Sequence, residues 1–416
     1  MDNMLVSQKH ALDGQHGGSV TSPLGFSAAG VTCGLKASGT PDLALVYSSR
    51  PCTAAGVFTL NRIMAAPCVV SRETLATNPD QIQAVVINAG NANACTGEPG
   101  LCAARRTQEI TAVELGCHPN AVLVLSTGII GVQLDVEKMI AGVRQAVGQL
   151  AMDNGEAAAR AIMTTDTRPK RMATSIDLPH GRVTIGGMAK GSGMIHPNMA
   201  TMLAVLSTDA RAPAPLLQRQ LRAAVGCSFN RISVDGDTST NDSVLLLANG
   251  ASGVELRGPE EAAAFGSALT EICLALAHEI VRDGEGASRF VQLTVTGTED
   301  AADALAVART IATSPLVKTA FAGGDPNWGR ILAAAGRAGV PFDPYQVGLT
   351  VGAGTQSVSL VLGGAPCAFD PARAQAIFAE PEFQISLSLG SGSGQATVWT
   401  CDLTHDYVTI NADYHT

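Results

Sequence analysis

Two apolar runs set most of what this chain can fold into. AVVINAGNANACTG (Ala84–Gly97) reads as a buried strand running into a Gly/Asn loop. AVLVLSTGIIG (Ala121–Gly131) is a second strand ending in a glycine turn, and Cys102–Leu115 between them reads as a helix. Strand–helix–strand order of this kind means a layered α/β domain. The second half repeats the theme. Phe265, Leu269, Ile272, Leu276 and Ile280 recur at steps of four, three, four and four, one face of an amphipathic helix that stops at Arg282–Asp283–Gly284. VQLTVTG (Val291–Gly297) alternates as a strand. Ile385, Leu387 and Leu389 alternate up to GSGSG, and Ala396 and Val398 resume the pattern, which predicts a hairpin. A domain boundary falls near Gly286–Phe290.

With 416 residues the chain is long enough for two or three domains, and with 46% apolar against 15% charged residues it can fill large cores. Aromatic residues are only 4%, so those cores must come from Ala, Val, Leu and Ile. A net charge of −9 argues against a nucleic-acid partner, which needs a basic footprint. Residues 1–20 read as a loosely held polar end. They show no signal-peptide architecture, and arginine is absent until Arg50, so the cytoplasm is the expected location. No run reaches the roughly 18 uninterrupted apolar residues of a membrane span. The ten cysteines form no Cys-x-x-Cys pair and read as reduced thiols; the eight histidines show no metal spacing, so neither a metal nor another cofactor is expected.

The chemistry concentrates in KGSGMIHPNMATMLAVLSTDA (Lys190–Ala210), which carries no charge between its first lysine and Asp209 unless His196 is protonated. Thr201 follows the small residue Ala200 at the point where the segment becomes strand-like. Taken alone it is a β-branched residue at a strand start. If the Ala200–Thr201 bond is cut, however, the new α-amino group, with a reference pKa of roughly 7.7–8.0, can take the hydroxyl proton and make Thr201 a nucleophile. The route is attack of the hydroxyl on the Ala200 carbonyl, an N-to-O acyl shift, and hydrolysis of the ester. Two decoys are rejected. GGDPNWGR (Gly323–Arg330) lacks the Gly-Lys-Ser/Thr ending of a phosphate loop, and VDGDTSTND (Val234–Asp242) lacks the twelfth-position glutamate of a calcium loop.

Lys190–Ala210 closely resembles the nucleophile motif of the ornithine acetyltransferase family, the bifunctional glutamate N-acetyltransferases of arginine biosynthesis. NRISVDGDTSTNDSVLLLANG (Asn230–Gly250), SPLVKTAFAGGDPNWGRILAA (Ser314–Ala334) and CDLTHDYVTINADYHT (Cys401–Thr416) resemble three further family segments, in the family's order. The departures are mild: Ser288 and Arg289 stand where Thr and Lys are commoner, and Ser27 replaces a frequent basic residue.

The resemblance implies a layered sandwich of sheets covered by helices, of the self-cleaving N-terminal-threonine-nucleophile type, with a smaller C-terminal α/β domain. It implies residues 1–200 as an α-chain, 201–287 as the start of a β-chain and 288–416 as the C-terminal domain, the fragments pairing as α2β2. It implies catalytic Thr201, with Thr127 and Gly128 as an oxyanion hole; read alone, Thr127–Gly128 is a strand-ending turn. Thr164, Lys190, Glu285, Asn411 and Thr416 are the implied substrate contacts. Lys190 could bind a carboxylate or bias the Thr201 amine, and Glu285 suits the amine of ornithine. The implied substrates are N-acetylornithine and glutamate; whether acetyl-CoA is a second donor is not legible. A self-cleaving aminopeptidase or amidase and a non-catalytic amino-acid-binding protein are the rival readings.

Overall fold

The computed structural model describes residues 18–196 and 202–413. Ala200, Thr201 and Thr416 therefore lie outside the described residues, as do residues 1–17 of the polar start. The described strands are β1 Phe26–Val31, β2 Leu43–Phe58, β3 Ile82–Asn91, β4 Val122–Ile129, β5 Lys170–Leu178, β6 Gly181–Lys190, β7 Leu203–Thr208, β8 Ile232–Ser233, β9 Ser243–Ala248, β10 Phe290–Gly297, β11 Gly348–Ala353, β12 Gln356–Leu362, β13 Ala365–Pro366, β14 Glu382–Ser388 and β15 Gly392–Cys401. The helices are α1 Ala66–Thr77, α2 Gly97–Leu115, α3 Val136–Gly148, α4 Gly155–Ala161, α5 Ala214–Cys227, α6 Pro259–Arg282, α7 Ala301–Ala312, α8 Pro315–Ala322, α9 Trp328–Gly336, α10 Pro371–Ala379 and α11 His405–Asp413.

The first sheet runs β4-β3-β2-β9-β7-β6-β5, with β1 also on β2. It is hinged along β2: Leu43–Tyr47 pairs with β3, whereas Thr53–Phe58 pairs with β9. The two halves pack face to face. Ala44, Val46, Val85, Ile87, Leu123 and Leu125 of one half share a core with Leu203, Val205, Leu245 and Leu247 of the other. The alternate residues face outward into helices, because successive strand side chains point to opposite faces. Leu43, Leu45, Ala84 and Val86 pack under α2 and α3; Ala204, Leu206, Val244 and Leu246 pack under α5 and α6. The result is a helix–sheet–sheet–helix stack in which the central strands are buried on both faces. That is why Ala84–Ala89 and Leu203–Thr208 read as continuous apolar or small runs rather than alternating ones. The expected layered α/β fold, with aliphatic cores, is what the chain adopts.

The amphipathic helix read from Phe265 onward is α6, begun by Pro259 and closed at its start by the Glu261 carboxylate, which accepts from the N–H groups of Arg257 and Gly258 at 2.7 and 3.1 Å. By length and composition it could cross a membrane, but Phe265, Leu269, Ile272, Leu276 and Ile280 are all buried in the core against the first sheet.

The second sheet runs β13-β12-β11-β14-β10-β15-β8 and packs one face on α7, α8, α9 and α10. One expectation fails here. β14 and β15 do not form a hairpin: β10 lies between them, parallel to β14 and antiparallel to β15. The apolar alternation on both sides of GSGSG is real, but the glycine-rich link passes over the end of β10, where Leu389 N–H donates to Thr296 O at 2.9 Å. The three residues Leu389–Ser391 between the two strands are enough to step across one strand, so alternation flanking glycines specifies two strands and a turn without specifying their pairing. β8, from the middle of the chain, completes this sheet beside β15.

Candidate active site

Strand ends of the first sheet, the loops beside them, the loop after α6 and α11 enclose an open cleft of about 620 Å³. Its lining includes Thr127, Gly128, Thr164, Lys190, Glu285 and Asn411, together with Thr165, Gly193, Met194 and Ser239–Asn241. Thus six residues spread over nearly 300 positions, all singled out in the sequence, meet in one place. Ala200, Thr201 and Thr416 lie outside the described residues, but the chain on either side of the Ala200–Thr201 junction is at the cleft. Lys190 ends β6 opposite Leu203, and Met202 N–H donates to Asp242 Oδ1 at 3.0 Å.

Each wall has a local cause. Thr127 and Gly128 end β4, parallel to the end of β3. Gly128 has φ +129°, and a Cβ there would lie 2.4 Å from the Gly90 carbonyl carbon, so only glycine fits. Asn241 stitches this wall to the strand opposite: its side-chain amide donates to Ala92 O at 2.6 Å and to Ser126 O at 2.9 Å, immediately before Thr127. Glu285 follows α6 and approaches so closely that a Cβ on Gly193 would fall 2.4 Å from its carboxylate. Asn411, on α11, donates to Glu285 Oε2 at 2.8 Å. The preceding segment grips the same loop. Asp402 accepts from the N–H groups of Ser288 and Arg289 at 2.8 and 3.0 Å, and Thr404 donates to Gly286 O at 2.7 Å.

Lys190 is buried, at 2% exposure, rather than the surface lysine its local sequence suggests. Its ammonium donates to Thr164 Oγ1 at 2.8 Å and to Thr127 Oγ1 at 3.4 Å. Burial pulls it below the ordinary lysine range, against the opposing pull of Asp166. Beneath it is a cluster that the motifs did not reveal. Lys170 donates to Asp166 Oδ1 at 2.6 Å and to Asp283 Oδ2 at 2.5 Å. Burial pushes the Asp166 carboxyl up, but Lys190, Lys170 and the hydrogen bonds outweigh it and hold the group well below the usual carboxylate range. The signal available was MTTDTRPK, an acid and a lysine four apart beside Thr164; their burial depends on Asp283, more than a hundred positions away.

Asp242 behaves oppositely. Burial raises its carboxyl well above the usual range, and among the described residues its Oδ2 has no hydrogen-bond partner. Asp235, which accepts from the N–H groups of Met194 and Ile195, is lifted by burial to about 6. No group of His, Cys, Asp and Glu suited to a metal ion occurs among the described residues.

Fold and cleft are those of a layered α/β enzyme. The ArgJ family model matches residues 27–416. A relative from Symbiobacterium thermophilum, named arginine biosynthesis bifunctional protein ArgJ, is 47% identical, over 96% of this chain and 99% of its own length. One of the same name from Thermosynechococcus vestitus is 48% identical, over 96% and 98%. Among solved structures, a chain of the ornithine acetyltransferase of Mycobacterium tuberculosis, complexed with ornithine, is 40% identical; the match covers 44% of this chain and 96% of that one, with a TM-score of 0.41. The chain belongs to the ArgJ family of bifunctional arginine-biosynthesis enzymes.

Proposed function

We propose that the protein moves an acetyl group from N-acetylornithine to glutamate by a ping-pong route in which Thr201 carries the acetyl group. The observation that supports this most is the convergence of Thr127, Gly128, Thr164, Lys190, Glu285 and Asn411 on the cleft beside which the chain re-enters at Met202, in a chain of this family. Self-cleavage at Ala200–Thr201 frees the α-amine. That amine takes the Thr201 hydroxyl proton as the oxygen attacks the acetyl carbonyl. Thr127 and the backbone N–H of Gly128 stabilise the oxyanion. The amide C–N bond then breaks, and the proton passes to the departing ornithine amine. The glutamate amine attacks the ester in turn; N-acetylglutamate leaves and the threonine hydroxyl is restored. Glu285, with Asn411 beside it, suits the charged amine of ornithine, and Lys190 suits a substrate carboxylate; Thr164 and Thr416 complete the contacts.

The same reading divides the chain at 200/201 into fragments, sets residues 288–416 apart as a C-terminal domain, and pairs the fragments as α2β2 in the cytoplasm, with no cofactor. Acetyl-CoA as a second acetyl donor at the same threonine is part of the same proposal. Mass spectrometry of freshly purified protein should show a fragment beginning Thr-Met-Leu-Ala, and Thr201→Ala should remain one chain without transfer activity. Steady-state assays with glutamate plus either N-acetylornithine or acetyl-CoA then separate the two donors. An active preparation holding only intact chain would sink the mechanism.

A further inference from the structure

Asp166 lies under the cleft with both oxygens engaged. Oδ1 accepts from Lys170 Nζ at 2.6 Å and from Gly191 N–H at 2.7 Å. Oδ2 accepts from Thr164 N–H at 3.0 Å and stands 3.9 Å from Lys190 Nζ. It therefore grips the backbone on the far side of Lys190, the backbone of Lys190's own hydroxyl partner, and faces its ammonium. The side chains of Asp166 and Lys170 have 0% exposure, and those of Lys190 and Asp283 3%. We propose that Asp166 is a positioning residue for Lys190: fixed by Lys170 and two backbone N–H groups, its carboxylate holds the Lys190 ammonium, charged, against the hydroxyls of Thr127 and Thr164.

The charge arrangement supports this. Two ammoniums and two carboxylates make the buried cluster neutral, and Lys170 has both carboxylates at hydrogen-bond distance whereas Lys190 has none. Removing the charge of Asp166 leaves Lys170 still paired with Asp283. Lys190 then loses the strongest of the charges that favour its ammonium, and a buried ammonium so weakened sheds its proton more readily. The other charged groups that act on Lys190 are Lys170, Glu285 across the cleft, Asp242 before β9 and Lys36 after β1.

The kinetic arm of the test rests on the acetyl-transfer reading; the spectroscopic arm does not. The chain has only six lysines, so in full-length protein carrying 13C-labelled lysine side chains the Lys190 Cε signal, assigned with Lys190→Met, reports its protonation without turnover. Asp166→Asn should move that titration down by about one pH unit or more and carry the alkaline limb of kcat/KM with it. Asp283→Asn strips a carboxylate from Lys170 instead and should move both less. An unmoved Lys190 titration in Asp166→Asn, or equal movement in the two variants, overturns the assignment. A wild-type chain without transfer activity counts against the functional reading alone. Should Asp166→Asn not fold, Asp166→Glu keeps the charge but displaces it: Lys190 should titrate near its wild-type pH while kcat/KM falls about tenfold or more. Wild-type kcat/KM in that variant would equally overturn the role.

Discussion

At Gly128 the backbone leaves no room for a side chain, so the residue tests whether geometry at the end of β4 matters to chemistry. Gly128→Ala forces its Cβ against the backbone of Gly90 and Asn91 and should cost about 1–3 kcal/mol of stability, read by thermal unfolding, along with most of kcat. Thr127→Ala carries no such strain. If Thr127 stabilises the oxyanion, the variant should lose on the order of 100- to 1,000-fold in kcat with a much smaller change in KM; an effect confined to KM would mark ground-state binding instead. These two residues, like Lys190 and Glu285, were named only through the family resemblance; read alone, Thr127–Gly128 is a strand-ending turn. Asp166, Lys170 and Asp242 were not legible. What makes them matter is burial, and burial is decided by partners such as Asp283 that no local pattern connects to them.

Among the elements, the strands and helices buried on a full face were readable, since a period of two or of about three and a half records which side meets the core. Pairing order was not, as β10 between β14 and β15 demonstrates. The return of the chain after β15 was expected only through the resemblance, which named Asn411; the grip of Asp402, Thr404 and Asn411 on the loop from Glu285 to Arg289 was not readable. Asp402→Ala leaves the N–H groups of Ser288 and Arg289 and the Ser288 hydroxyl, which also donates to Asp402 at 2.6 Å, without their acceptor. Each such loss costs about 1–3 kcal/mol where water cannot substitute, so the loop should loosen and KM for N-acetylornithine should rise more than kcat falls. If KM stays put while stability drops, the loop is structural support and Glu285 is not steered by it. Removing Tyr414–Thr416, outside the described residues, is the companion experiment: self-cleavage should survive and transfer should not.

For the whole molecule, α6 bridges the two sheets at His278, whose ring lies 4.6 Å from that of Trp399 on β15 and 5.3 Å from that of Phe290 on β10. Burial and the nearby Arg282 push this imidazole down to about 4 from an ordinary 6.5, and among the described residues its Nε2 has no partner. The unfolded chain binds the proton first, so folding stability falls as pH drops from about 6.5 towards 4. His278→Phe should remove that loss, leaving the variant about 3 kcal/mol more stable relative to wild type at pH 4 than at pH 7 by chemical denaturation; identical pH profiles would exclude His278 as a cause. The order of the first sheet has a further outcome if the chain is cut ahead of β7. β7 and β9 then belong to one fragment and are flanked by β6 and β2 of the other, so the sheet is interleaved between two polypeptides. Neither piece can leave without stripping hydrogen bonds from both its outer edges, and regaining the fold becomes an encounter between two molecules. Refolding of the cleaved protein should therefore speed up in proportion to fragment concentration, whereas the uncut Thr201→Ala chain should refold at one rate however dilute it is.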